Sequence, residues 1–169
     1  MIINKLTYLI AELEGEVEGF VLNFRKRFNP ERVTWPTDIT IAGSSGIGTL
    51  SEGQDLDFVI AEIAVVLDRY SFNDVTFESL ERFPDTGIYI LKPSREKFDE
   101  LHNAIKETQV KFNDTPWPFT PHCTLSAVQE NSEDLEEVFV GARYPIAAKI
   151  RSFSLYQPET NGGCRIHRF

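Results

Sequence analysis

Pro121-His122-Cys123-Thr124-Leu125 decides the fold, because the other half of the chain carries a counterpart, Thr37-Asp38-Ile39-Thr40-Ile41. Each stretch is short, alternates polar and apolar side chains, and follows the first predicted helix of its half. Successive side chains of an extended strand point to opposite faces. His122 and Thr124 therefore share one face, with Cys123 and Leu125 on the other. Asp38 and Thr40 share a face in the same way, backed by Ile39 and Ile41. Each strand presents a titratable group beside a hydroxyl, on an apolar back suited to packing beneath a helix.

Outward from these stretches, period-2 and period-3.6 patterns alternate. A strand is expected over 6–13. Val17, Phe20, Val21, Phe24 and Phe28 then recur at helical spacing until Pro30. The strand over 38–42 is entered through Trp35-Pro36 and leaves into the glycine- and serine-rich loop 43–48. A second helix follows over 56–70, then strands over 75–83 and 87–91 joined by the turn 84–86. Ser94 reads as the N-cap of a third helix carrying Phe98, Leu101 and Ile105. Pro116, Pro118 and Pro121 hold the chain extended into a strand over 122–127. A short helix over 134–140, a long strand over 146–156, a turn at 158–163 and a closing strand over 165–169 complete the order. The order is β-α-β-α-β followed by β-α-β-α-β-β. Equivalent placement of the two motifs implies an internal duplication, with pseudo-repeats at 1–83 and 84–169. No linker separates them, so the expectation is one domain of two intertwined lobes.

Composition limits the function. A chain of 169 residues suits one domain, and its 41% apolar and 25% charged content is that of a folded globular protein. Two cysteines, Cys123 and Cys164, make no disulfide framework; both fall in predicted strands and read as buried reduced thiols of a cytoplasmic protein. No run approaches the roughly 20 apolar residues of a membrane helix. A net charge of −9 argues against broad nucleic-acid binding, which needs many Lys/Arg–phosphate contacts. It leaves room for a small phosphate ester in one local pocket. The acids at 12–18, 55–62 and 130–137 read as solvated helix faces. A monomer is favoured.

If a pseudo-two-fold axis relates the halves, the two polar pairs converge on one cleft, which suits a phosphodiester. One titratable group removes a proton from the attacking oxygen and the other protonates the departing one. Imidazole is matched to both tasks near neutrality. Threonine hydroxyls donate to the nonbridging oxygens as charge builds there. This chemistry calls for no metal and no organic cofactor.

A His-any-Thr-hydrophobic strand in each half of a duplicated chain resembles the two-histidine phosphoesterase superfamily, which includes bacterial 2′-5′ RNA ligase-like proteins and cyclic nucleotide phosphodiesterases. The resemblance covers nearly the whole chain. It implies an α+β sandwich of two concave antiparallel sheets, with helices outside and a cleft between lobes. It also implies cleavage of 2′,3′-cyclic phosphates or related esters, or reversible formation of 2′-5′ linkages. By that resemblance His122 matches one catalytic histidine, Thr124 its phosphate-contacting partner, and Thr40 the other threonine. Asp38 stands where the first catalytic histidine belongs.

An ordinary aspartate is ionised at neutral pH and opposes an approaching phosphate. Three outcomes stand open: a catalytically dead scaffold or binding surface; Asp38 orienting His122 or acting as a weak base; or a carboxylate–imidazole pair favouring a metal or cationic ligand, for which two ligands are too few. Among other candidates, His102 reads as a helix-flank residue and His167 as an exposed strand residue. Arg165, Arg168, Lys149 and Arg151 suit anions but read first as a solvated sheet face. The loop 43–48 lacks the P-loop ending and reads as a flexible connection at the cleft rim. Phe112, Trp117 and Phe119 suit either base stacking or packing. Two functions remain: a cofactor-independent phosphodiesterase using His122, or a degenerate module that binds a nucleotide-like ligand or a protein.

Overall fold

The five central residues of β1 (Tyr8–Glu14) are buried, so this strand needs cover on both faces and a partner along each edge. In a computed structural model describing residues 1–83, 86–127, 137, 139, 141–160 and 162–169, the partners are β2 (Asp38–Ala42) and β6 (Ala147–Glu159), both antiparallel to it. β3 (Asp74–Arg82) pairs with β6 through its first three residues and with β4 (Ile88–Pro93) through the rest. β4 in turn pairs with β5 (Cys123–Ala127). Among the described residues this gives a seven-stranded antiparallel sheet, ordered β2-β1-β6-β3-β4-β5, with β7 (Gly162–Arg168) on the free stretch of β6. β3 thus joins a wing of β2, β1, β6 and β7 to a wing of β4 and β5. The fold is α+β, as expected.

Among the described residues, three α-helices cover the sheet. α1 (Glu16–Phe28) turns Val17, Val21 and Phe24 inward and packs on β1, β5 and β6. α2 (Leu56–Tyr70) is capped by Asp55, whose carboxylate accepts from the main-chain nitrogens of Asp57 and Phe58 at 3.0 and 3.1 Å. It packs against α3 (Glu96–Lys106), which lies on β2. Leu9, Leu13, Ile39, Ile41, Phe98 and Leu125 are among the fully buried residues that join sheet and helices into one core.

Several expectations are corrected. Ser94 is not the helix cap but stands one residue before it, its N–H donating to the Thr76 carbonyl of β3 at 2.8 Å. Arg95 takes the cap position without a side-chain cap bond and pairs forward with Asp99. Thr7 bridges Leu50 instead of joining β1. Glu12 lies in β1, only 4% exposed, and belongs to no helix face. Cys123 is buried, but Cys164 is exposed, because β7 is an edge strand whose residues 163–165 face out. The expected helix over 134–140 lies outside the described residues, save for 137 and 139, as do Pro84, Asp85 and Asn161 of the expected turns. No helix among the described residues is long and apolar enough to cross a membrane.

Candidate functional site

β2 and β5 end on opposite wings of the sheet, yet they pack against each other. The buried Cys123 thiol lies against the Asp38 main-chain N–H, and burial, with Asp38 nearby, pushes that thiol up to about 12. On the other face of the two strands opens a cavity of about 240 Å³. Asp38, Thr40, His122 and Thr124 all line it. The structure therefore brings together the four side chains that the sequence singled out, although His122 stands one residue before β5.

Each group has a defined partner. His122 is half-buried, with Nδ1 2.7 Å from the Thr120 carbonyl and its ring edge-on to Phe83 at 4.8 Å. A carbonyl only accepts, so Nδ1 carries the proton and Nε2 presents a lone pair. Burial holds this imidazole below its usual 6.5, outweighing the Thr120 bond. Asp38 is half-buried and accepts from the Thr40 hydroxyl at 3.3 Å. Burial raises its carboxyl to about 6, against the opposing pull of Arg25 and the Thr40 bond. Gly43 follows β2 where a Cβ would run into the Thr40 methyl and the Tyr8 ring, so a side chain there would displace two residues of the cleft wall.

Beneath both motifs lies Arg25, 3% exposed. Its Nε donates to the Leu125 carbonyl at 3.3 Å and its Nη2 to the Thr124 carbonyl at 2.8 Å. Its Nη1 donates to the carbonyls of Trp35 and Pro36 at 2.8 and 3.1 Å, with Arg32 farther at 3.4 Å. One guanidinium so fastens the chain entering β2 to the main chain of β5. Burial lowers its pKa, with Asp38 among the anions that counter the effect. Arg32, Trp35, Tyr8 and Tyr156 complete much of the wall. Burial, together with Asp38 and Glu12, pushes the Tyr156 phenol up to about 12.

The other candidates lie elsewhere. His102 is buried, its Nδ1 2.8 Å from the Ile41 carbonyl and its ring stacked on Phe119 at 3.8 Å. It is structural. His167 lines a separate depression with Phe169. Lys149 pairs with Asp74, Arg151 with Glu14 and Glu18, and Arg165 with Glu12. Glu12 also accepts from Ser154 at 2.6 Å, and these bonds overcome burial to lower its pKa. Arg168 is 3.9 Å from the same carboxylate. None of these cations lines the cleft. The loop 43–48 does reach the rim, through Ser44 and Ser45. It is pinned rather than free, by Gly46 N–H on the Trp117 carbonyl at 2.9 Å and the Thr115 hydroxyl on the Ser44 carbonyl at 3.0 Å. Trp117 is 67% exposed outside the cleft. No group of three His, Cys, Asp or Glu side chains that could hold a metal occurs among the described residues.

Arg25 and Arg32 were missed by sequence reasoning. A signal existed for the first: it sits four residues after Val21, on the apolar stripe of α1, where a charge needs a buried partner. Arg32 carries no such mark.

The profile of the family described as the 2′-5′ RNA ligase superfamily matches residues 12–162. Solved structures share the fold at low identity. A phosphoesterase superposes with a TM-score of 0.58 at 15% identity, covering 98% of this chain and 97% of that one. LigT of E. coli, complexed with 3′-AMP, gives 0.57 at 14% identity, covering 98% and 96%. TT0787 of Thermus thermophilus gives 0.56 at 15% identity, covering 97% and 96%. No curated protein matches by sequence.

Proposed function

The chain belongs to the 2′-5′ RNA ligase superfamily, and on that premise we propose that its cleft hydrolyses a 2′,3′-cyclic phosphate or a related RNA or nucleotide phosphodiester by general acid–base catalysis. The observation carrying this reading is that Asp38, Thr40, His122 and Thr124 line one cavity from two different strands. His122 Nε2, its lone pair set by the Nδ1 bond to Thr120, takes a proton from the water attacking phosphorus. The protonated Asp38 carboxyl gives its proton to the ribose oxygen as the old P–O bond breaks, the task a histidine would otherwise perform. Burial suits Asp38 to that task by bringing it to about 6, so that a useful fraction is protonated near neutrality. The Thr124 hydroxyl donates to a nonbridging oxygen, and the Thr40 hydroxyl turns from Asp38 to do the same once that carboxyl is protonated. The reaction leaves imidazolium and carboxylate, and solvent restores the proton. Metal and cofactor have no place in this scheme. LigT, complexed with 3′-AMP in one structure and with phosphate in another, offers a parallel for the ligand class.

A second reading, binding without turnover, draws on the carboxylate that Asp38 becomes above its pKa, since that charge opposes an anion. Hydrolysis of 2′,3′-cyclic nucleotides by wild type, His122→Ala and Asp38→His decides between them. The expected result is wild-type turnover that falls by about 10²-fold or more in His122→Ala, as loss of a general base requires. An inactive wild type with activity gained in Asp38→His would establish the binding reading instead.

A further inference from the structure

The geometry points to Arg32 as the side chain that takes the substrate's phosphate, with Trp35 as its support. The assignment rests on the reading of the cleft as a phosphoesterase site. Among the described residues, three charged side chains line the cavity: Arg25, Arg32 and Asp38. Arg25 is occupied. Its guanidinium is buried and bound to main-chain carbonyls on both sides, and its charge is set against Asp38.

The Arg32 guanidinium is not tied down in this way. The residue is half-buried and makes no ion pair among the described residues. Its guanidinium carbon stands 4.8 Å over the Trp35 ring. That contact engages the π-face and leaves the planar N–H fork to grip a phosphate oxygen pair. Burial raises the Asp38 carboxyl and the Tyr8 phenol, and the charge of Arg32 opposes that rise in both, which puts it near the acid of the reaction.

The segment presenting Arg32 is fixed before any ligand arrives. Its N–H donates to the Asn29 carbonyl at 2.9 Å, and its carbonyl accepts from Trp35 N–H at 3.1 Å. Asn29 in turn accepts from the Ala127 N–H of β5 at 3.1 Å. Arg32 is therefore registered on the strand that carries Thr124. Preorganised donors of this kind lose little entropy on binding.

The charge balance favours the assignment. With Asp38 protonated, Arg25 and Arg32 face a monoanionic diester.

Titration calorimetry with adenosine 3′-phosphate, inorganic phosphate and adenosine tests the assignment. Arg32→Gln should weaken both phosphates about ten- to a hundredfold, as loss of a charge-assisted contact requires, and leave adenosine unchanged. Arg32→Lys should recover part of the loss, and Trp35→Leu should fall between. Unaltered phosphate binding in Arg32→Gln would overturn the assignment while the cleft reading stood. Equal loss for adenosine and its phosphate would assign Arg32 a structural role instead. A wild type blind to all phosphates would overturn both.

Discussion

Burial acts on Asp38 and His122 with opposite sign, because it penalises the charged form of each. It brings the carboxyl up to about 6 and holds the imidazole below 6.5. The acid must be protonated to act and the base must not be. On the proposed mechanism activity should therefore be lost as pH rises past about 6, and lost again as pH falls through the lowered pKa of His122. The kcat/KM profile for a cyclic nucleotide should peak on the acid side of neutrality and decline by about tenfold per pH unit above the upper limit. In Asp38→His the declining limb should move to higher pH. A wild-type profile level from pH 6 to 8 would contradict the assignment of Asp38 as acid. At this scale the sequence was informative where alternation alone places a side chain: Asp38 beside Thr40 and His122 beside Thr124 follow from strand period. Arg32 was not legible, because its meaning comes from Trp35 beneath it and Asp38 across from it, and the latter contact is set by the path of the chain.

At the scale of elements, α1 is more than cover for the sheet. Through Arg25 it ties the segment before β2 to the main chain of β5. Replacing Arg25 by Met strands several buried carbonyls without donors, at about 1 kcal/mol or more for each. The expected loss is about 3 kcal/mol of unfolding free energy, read as a lower urea midpoint. An unchanged midpoint would show that water replaces the guanidinium without cost. The helices and most strands were legible from periodicity. What was not legible was that β3 leaves β6 for β4 after Thr76, or that β6 runs beside β1. Both are pairings between distant segments, and an alternating pattern states which face is buried but not which neighbour lies alongside. Glu12 was misread for a related reason: its partners Arg165 and Ser154 lie at the far end of the chain.

For the whole molecule, the net charge of −9 coexists with a cleft lined by two arginines and one aspartate. Lys149, Arg151 and Arg165 are each held by a carboxylate, and the net negative charge opposes a long nucleic-acid backbone. Affinity for a long single-stranded RNA should match that for a short fragment with the same end. Its logarithm should fall against log salt with a slope near −0.7 to −1, the mark of about one neutralised phosphate. A steep slope growing with RNA length would reveal a second, extended binding surface. The fastening under the cleft also has a consequence for how such a protein diversifies. Arg25 grips carbonyl oxygens, which every residue type possesses, and is blind to the side chains at 32, 35, 36, 124 and 125. Mutations at 32, 35, 36 and 124, which line the cleft, can redraw what it accepts while its frame is inherited unchanged. The arginine that holds the site in shape thereby leaves its specificity free to drift.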